Sequence, residues 1–128
     1  MAKTLTVIFG VMLALLGVLG FVSNPLIGAN ALFAADAAHN IIHIILGAIL
    51  LVVAFWSSGN SELWLKIVAV ATFLLGLIGL LTVPATGGSL LGIAYTNGAT
   101  DWFHLIAGAV IFAALIYGKD ERPLPPAV

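Results

Sequence analysis

The chain has 128 residues, of which 62% are hydrophobic and only 7% are charged, against roughly 25% charged residues in an ordinary soluble domain. Four basic and five acidic side chains cannot cover the surface of a soluble protein. The composition excludes soluble globular, disordered, fibrous and nucleic-acid-binding proteins and predicts one integral membrane domain, residues 1–128, embedded in a lipid bilayer. The lack of cysteine excludes disulfides, thiolate nucleophiles and Cys-ligated metals.

Four apolar runs approach or reach the ~20 residues that a helix needs to cross the hydrocarbon, and none alternates as a barrel strand would. Helices satisfy their own backbone hydrogen bonds in lipid, so we predict an all-α, four-helix transmembrane bundle. Ser23-Asn24-Pro25 ends the first helix and Pro84 ends the third. The predicted spans are residues 5–22, 38–56, 63–83 and 102–117.

The basic residues predict the orientation of the bundle. Lys3 precedes the first span, Lys66 lies by the loop between spans two and three, and Lys119 and Arg122 follow span four. With four crossings they share one side, which the positive-inside rule makes cytoplasmic. We therefore expect both termini and a tail (119–128) on the cytoplasmic side of a bacterial inner or photosynthetic membrane. The loops 23–37 and 84–100 then face outward.

The chain contains an internal repeat, with repeat one at about 5–57 and repeat two at about 63–118. We therefore expect two parallel two-helix repeats related by a pseudo-twofold axis along the membrane normal. Because the first span has an internal counterpart, we expect it to be retained rather than removed as a signal peptide. Gly10, Gly17, Gly20 and Pro25 match Ala69, Gly76, Gly79 and Pro84, and Asp36, Asn40, His43 and Gly47 match Asn97, Asp101, His104 and Gly108.

Polar and small residues follow helical spacing in both repeats. A polar face must turn away from lipid, and small residues let helices approach closely. We therefore predict a polar, ligand-binding cluster at the outer end, hydrogen-bonded to helix termini and loops: Asp36, His39, Asn40, His43, Asn97, Asp101 and His104. We predict helix packing through seven glycines: Gly10, Gly17, Gly20, Gly47, Gly76, Gly79 and Gly108.

The histidines allow more than one chemistry. His39 and His43, at i,i+4, could share a metal ion, with Asp36 or Asp101 completing its shell. Capping by Asp36 and hydrogen bonds from the histidines to loop carbonyls are the favoured interpretation, and His39 is expected near the boundary without a buried partner. We therefore predict no metal site. His43 and His104, at equal depth, could ligate haem or a chlorophyll-type pigment. Gly47 and Gly108, one turn further along each helix, would leave room for the ring.

The pattern His39-Asn40-x-x-His43 opening helix two, with Asp101-Trp102-x-His104 opening helix four, resembles a small bacterial membrane family described as domain of unknown function 4383. The resemblance covers most of the chain except about the last eight residues. It implies four spans in two half-repeats and a membrane location. It implies no activity.

No catalytic spacing is present, so we predict that the protein is not an enzyme. The expected function is a non-enzymatic interaction or accessory subunit that contacts other membrane subunits through apolar surfaces of helices one and three. No cofactor is expected in that role. The tail 119–128, with polyproline character, is expected to bind such a partner. The alternatives are a tetrapyrrole-binding protein using the paired histidines and a small transporter.

Overall fold

A computed structural model describes residues 1–118 of the chain, and the predicted tail 119–128 lies outside them. Four long helices dominate this part: α1 (Ala2–Leu19), α2 (Ala37–Trp56), α3 (Ser61–Thr82) and α4 (Gly98–Tyr117). All four are long and apolar enough to cross a membrane. The predicted four-span helical architecture is confirmed, and it indicates an integral membrane protein.

The first helix is shorter than predicted because Asn24 organises the turn that follows it. Its side-chain amide donates to the carbonyl oxygens of Leu19, Val22 and Ile27 at 2.9, 2.7 and 3.1 Å. These bonds satisfy carbonyls that a continuing helix would otherwise use. The helix ends at Leu19 rather than Val22.

The fourth helix begins earlier than predicted, at Gly98 rather than Trp102. Asn97 is its N-cap residue, and its side-chain oxygen accepts a hydrogen bond from the backbone N–H of Thr100 at 3.0 Å. A capping Asn stabilises the first turn even where the residues are polar. The apolar run alone therefore placed the start one turn too late.

The loops that follow α1 and α3 contain short strands that the sequence did not predict. In the first, β1 (Ile27–Gly28) pairs in parallel with β2 (Phe33–Ala34). In the second, β3 (Gly88–Leu90) pairs antiparallel with β4 (Ala94–Thr96). Asn97 joins the two loops, since its side chain accepts from Ala34 N at 3.3 Å and donates to the Leu32 carbonyl at 3.1 Å. We call this end of the bundle the loop end.

The opposite end, which we call the terminal end, holds the N-terminus, the end of α4 and the link between α2 and α3. A single 3₁₀ turn (Ser58–Asn60) forms that link. The hydroxyl of buried Thr6 on α1 donates to the carbonyl of Ala2 at 2.8 Å and contacts the carbonyl of Ser61 at 3.3 Å. The apolar core occupies this half of the bundle and comprises Leu50, Leu65, Val68, Ala69, Ile111 and Leu115.

Helices α1 and α2 form one close pair, and α3 and α4 form the other. A Cβ on Gly17 would lie 2.6 Å from the carbonyl oxygen of Asn40, and one on Gly76 would lie 2.6 Å from that of Asp101. Such distances are shorter than side chains tolerate, so only glycine permits this approach. Gly47 and Gly108 lie against the backbone of the paired helix in the same way, whereas Gly20 and Gly79 lie against the side chains of Asn40 and Asp101. The contact at Gly10 is looser, since a Cβ there would lie 3.0 Å from the Leu51 side chain and 3.1 Å from the carbonyl oxygen of Gly47.

Candidate functional site

His39 lies in the first turn of α2, where Asp36 fixes the backbone. Asp36 is the N-cap residue, and its carboxylate accepts the N–H of His39 at 2.9 Å. His39 is 6% exposed, and its Nδ1 atom lies 3.0 Å from the carbonyl oxygen of Tyr95. The expectation that His39 needs no buried partner was wrong, because the second loop folds over the start of α2 and covers it.

The other two histidines of the chain converge on His39. His43 follows one turn later on α2, and His104 comes from α4. Each of the three offers one ring nitrogen, and these atoms all lie within 4.8 Å of one another. The ring centroids of His39 lie 4.7 Å from His43 and 5.3 Å from His104, while His43 and His104 are 5.8 Å apart. We call these residues the histidine triad.

The contact with Tyr95 defines the tautomer of His39. A carbonyl oxygen can only accept a hydrogen bond, so Nδ1 of His39 carries the proton in this contact. The lone pair of a neutral ring is then on Nε2, where it can bind a ligand. Metal-binding histidines commonly donate their other N–H to a carbonyl in this way, which fixes the tautomer and the ring orientation.

Asn40 and Asp101 are buried, at 3% and 0% exposure, but they do not join the histidine triad. Asn40 lies against Gly20, and Asp101 lies against Gly79. Asp101 accepts a hydrogen bond from the hydroxyl of Thr96 at 2.7 Å, and no hydrogen bond within residues 1–118 links it to a histidine. The predicted polar positions are thus divided between the triad, the helix caps and the glycine contacts.

Two further polar residues, Thr96 and Thr100, were missed at the sequence level. Thr96 is the partner of Asp101. Thr100 is buried, and its hydroxyl lies 3.1 Å from the carbonyl oxygen of Ala34 in the first loop. The available signal was the predicted repeat, in which Thr100 occupies the position that matches His39.

An apolar cavity of about 230 Å³ lies beside the triad, between the two helix pairs. All four helices and the second loop contribute to its wall. Its polar lining residues are the three histidines and Thr72, and no charged residue of the described part, 1–118, lines it. A second cavity of about 170 Å³ lies on the first-loop side and is also lined by the histidine triad, together with Thr100.

The model of a family described as a domain of unknown function (DUF4383) matches residues 3–117. The chain belongs to the DUF4383 family. This confirms the resemblance drawn from the histidine patterns. No curated protein and no solved structure matches the chain.

In this DUF4383 protein, the triad supplies three nitrogen donors from two helices. Imidazole suits zinc, copper, iron and nickel, whereas calcium and magnesium prefer oxygen ligands. Three nitrogens bound to one ion at about 2.0–2.1 Å lie roughly 3.3 Å apart, so rings whose nitrogens lie within 4.8 Å of one another need only small rotations to converge. The sequence prediction of no metal site considered His39 and His43 with a carboxylate from Asp36 or Asp101, and the third imidazole changes that donor set.

Proposed function

We propose that this protein is a non-enzymatic membrane protein that binds one transition-metal ion through His39, His43 and His104. The observation that carries the proposal is the convergence of all three histidines of the chain on one point near the loop end. Bringing three imidazoles together inside an apolar bundle is costly unless a ligand satisfies them. A bound ion would also join α2 of one helix pair to α4 of the other.

The geometry favours an ion over a tetrapyrrole. In a bis-histidine haem the macrocycle lies midway between the two ligating rings. The ring of His39 is nearly equidistant from His43 and His104, at 4.7 and 5.3 Å. It therefore occupies the plane in which a macrocycle held by these two residues would have to lie.

Cobalt titration tests the metal site, because tetrahedral Co²⁺ absorbs in the visible range. The protein is purified without a histidine tag, stripped with chelator, and titrated with Co²⁺ and then with competing Zn²⁺. We expect one ion per chain, and an affinity at least tenfold lower in His43→Ala and His104→Ala. Asn40→Ala serves as a matched control for a buried polar position on α2 and should bind normally.

Unchanged cobalt binding in both histidine variants would overturn the proposal, and so would the absence of stoichiometric binding by the wild type. The absorption spectrum of the protein as purified tests the tetrapyrrole alternative in the same sample. A Soret band that disappears in His104→Ala would replace the metal proposal with that alternative.

We further propose that the bundle arose from two copies of one helix pair, related by a pseudo-twofold axis along the membrane normal. Reciprocal hydrogen bonds support this. His39 contacts the carbonyl of Tyr95 at 3.0 Å, and Thr100 contacts that of Ala34 at 3.1 Å. The two donors, His39 and Thr100, are 61 positions apart in the sequence, and so are the two acceptors, Ala34 and Tyr95. The cavity wall also contains matching residues from both pairs: Phe9 with Val68, Leu13 with Thr72, Leu16 with Leu75, Ile42 with Phe103, and Leu46 with Ala107.

For orientation, we propose that the terminal end is cytoplasmic and that the loop end faces outward, in a bacterial inner membrane. The chain has no cysteine, so single cysteines report accessibility cleanly. In intact cells a membrane-impermeant maleimide should label Ser89→Cys, in an exposed position of the second loop. It should label Ser58→Cys, in the α2–α3 link, only after permeabilisation. The reverse pattern would overturn the orientation.

The accessory-subunit role also stays a proposal. It is supported by exposed apolar stripes at matching positions of α1 and α3: Ile8, Val11, Leu15 and Val18, and Ile67, Val70, Leu74 and Leu77. A photo-crosslinking residue at Leu15 should capture a neighbouring protein in native membranes, whereas one at Val110 on α4 should capture lipid. Lipid adducts alone at both positions would reject the role.

Cobalt uptake into vesicles containing the protein would favour the transporter alternative.

A further inference from the structure

We propose that the cavity of about 230 Å³ between the helix pairs binds a neutral, carbonyl-bearing lipophilic molecule of the quinone class. The ring would occupy the cavity, and a carbonyl oxygen would lie at the histidine triad. This inference uses the same histidines as the proposed metal site, but it does not require the ion. It names the class of molecule that the protein holds at the loop end.

The wall of the cavity selects for a lipophilic, uncharged occupant. Its sides are aliphatic and aromatic, with Phe9 and Leu13 from α1, Leu46 from α2 and Phe103 from α4. Among residues 1–118, no Lys, Arg, Asp or Glu lines it. A carboxylate, phosphate or ammonium group would enter without a counter-charge, and burying an unpaired charge is costly. Fatty acids, phospholipid headgroups and amines are therefore disfavoured.

The histidines favour an occupant that carries a hydrogen-bond acceptor. The ring nitrogens of His43 and His104 make no hydrogen bond to any residue within 1–118. Nδ1 of His104 is fully buried, whereas Nε2 of His104 and both ring nitrogens of His43 are not, so an occupant of the cavity can reach them. A neutral imidazole carries one N–H donor, and leaving it unsatisfied in an apolar site is unfavourable. A carbonyl oxygen satisfies such a donor. With the ion bound, the same oxygen is also suited to the coordination position that three protein ligands leave open.

The size of the cavity sets the scale of the occupant. Sites for drug-sized molecules begin near ~300 Å³, so about 230 Å³ suits a single substituted ring. Ala107 lines the cavity on α4, where a larger side chain would fill the space. Val110, three residues further on, is exposed on the outer face of α4 and provides a matched position outside the cavity.

The test uses duroquinone and durene, two tetramethyl six-membered rings of similar size, of which only duroquinone carries carbonyl oxygens. Binding to the full chain in lipid nanodiscs is measured by equilibrium dialysis, against empty nanodiscs, with and without Co²⁺. We expect one duroquinone per chain, bound at least tenfold more tightly than durene. Ala107→Phe should lose this binding, Val110→Phe should keep it, and His104→Leu should reduce duroquinone binding to the level of durene.

Equal binding of duroquinone and durene would overturn the inference, because the histidines would then make no contribution. Unchanged binding in Ala107→Phe would also overturn it, because the ligand would lie elsewhere. The cobalt spectrum of each variant separates the two proposals. A wild type with a normal cobalt site and no duroquinone binding refutes the cavity ligand alone, and duroquinone binding without a cobalt site refutes the metal ion alone.

Discussion

Replacing Gly17 by Ala should open the contact between α1 and α2. The new Cβ would lie 2.6 Å from the carbonyl oxygen of Asn40, whereas ordinary contacts begin at 3.4 Å. The obstacle is backbone, so the helices must separate by about 0.8 Å, and a gap of that size removes roughly a quarter to a half of each dispersion contact along the pair. Overpacking costs about 1–3 kcal/mol, against a gain of about 1 kcal/mol from the helix propensity of Ala.

Because the backbone cannot rotate away, we expect a cost near the upper end of that range and a net loss of about 2 kcal/mol. This corresponds to a melting temperature lower by roughly 8 °C, measured by circular dichroism in detergent. Gly59→Ala is the control, since nothing lies within 4 Å of its Cβ position. If Gly17→Ala had the same melting temperature as Gly59→Ala, the close contact between α1 and α2 would be refuted.

Substitutions at three further positions test polar contacts by the same melting assay. Asp101→Ala should lower stability by about 1–3 kcal/mol because it leaves the buried Thr96 hydroxyl without its acceptor, and Asp101→Asn, which keeps an acceptor, should lose less. Asn97→Ala removes the α4 cap and both contacts to the first loop. It should lower the free energy of unfolding by about 1–2 kcal/mol and speed hydrogen exchange in the first loop. Unchanged exchange in that loop would contradict this prediction. Thr6→Val should cost about 1 kcal/mol by removing the hydroxyl contact between α1 and Ser61, and a more stable variant would contradict it.

The helices were predictable because lipid imposes one strong requirement on the sequence. A run of apolar residues in a bilayer has almost no alternative to a helix, so all four spans were found. Their ends were less predictable, because they depend on single side chains. The contacts of Asn24 with three carbonyls and the cap at Asn97 are local polar effects that an average over apolar residues does not detect.

The site was predictable in its residues but not in its arrangement. Helical spacing places His43 on the polar face of α2 and His104 on that of α4, and the repeat gives them equal depth. Spacing also places His39 one turn before His43, but it cannot bring His39 against His104, since that depends on how the second loop folds over α2 and presents the carbonyl of Tyr95. Nor does spacing separate Asp101 from the histidines, because that separation follows from its contacts with Thr96 and Gly79.

In the proposed two-repeat architecture His39 and Thr100 are counterparts, and this has a consequence for how such a site could arise. Two identical helix pairs assembled as a symmetric dimer can present histidines only in even numbers, two or four. One continuous chain has no such restriction, because each half can change alone. In this chain the first half holds two histidines, and the second holds one together with a threonine. A site with three histidines can therefore form in one continuous chain, but not in a symmetric dimer of two identical helix pairs.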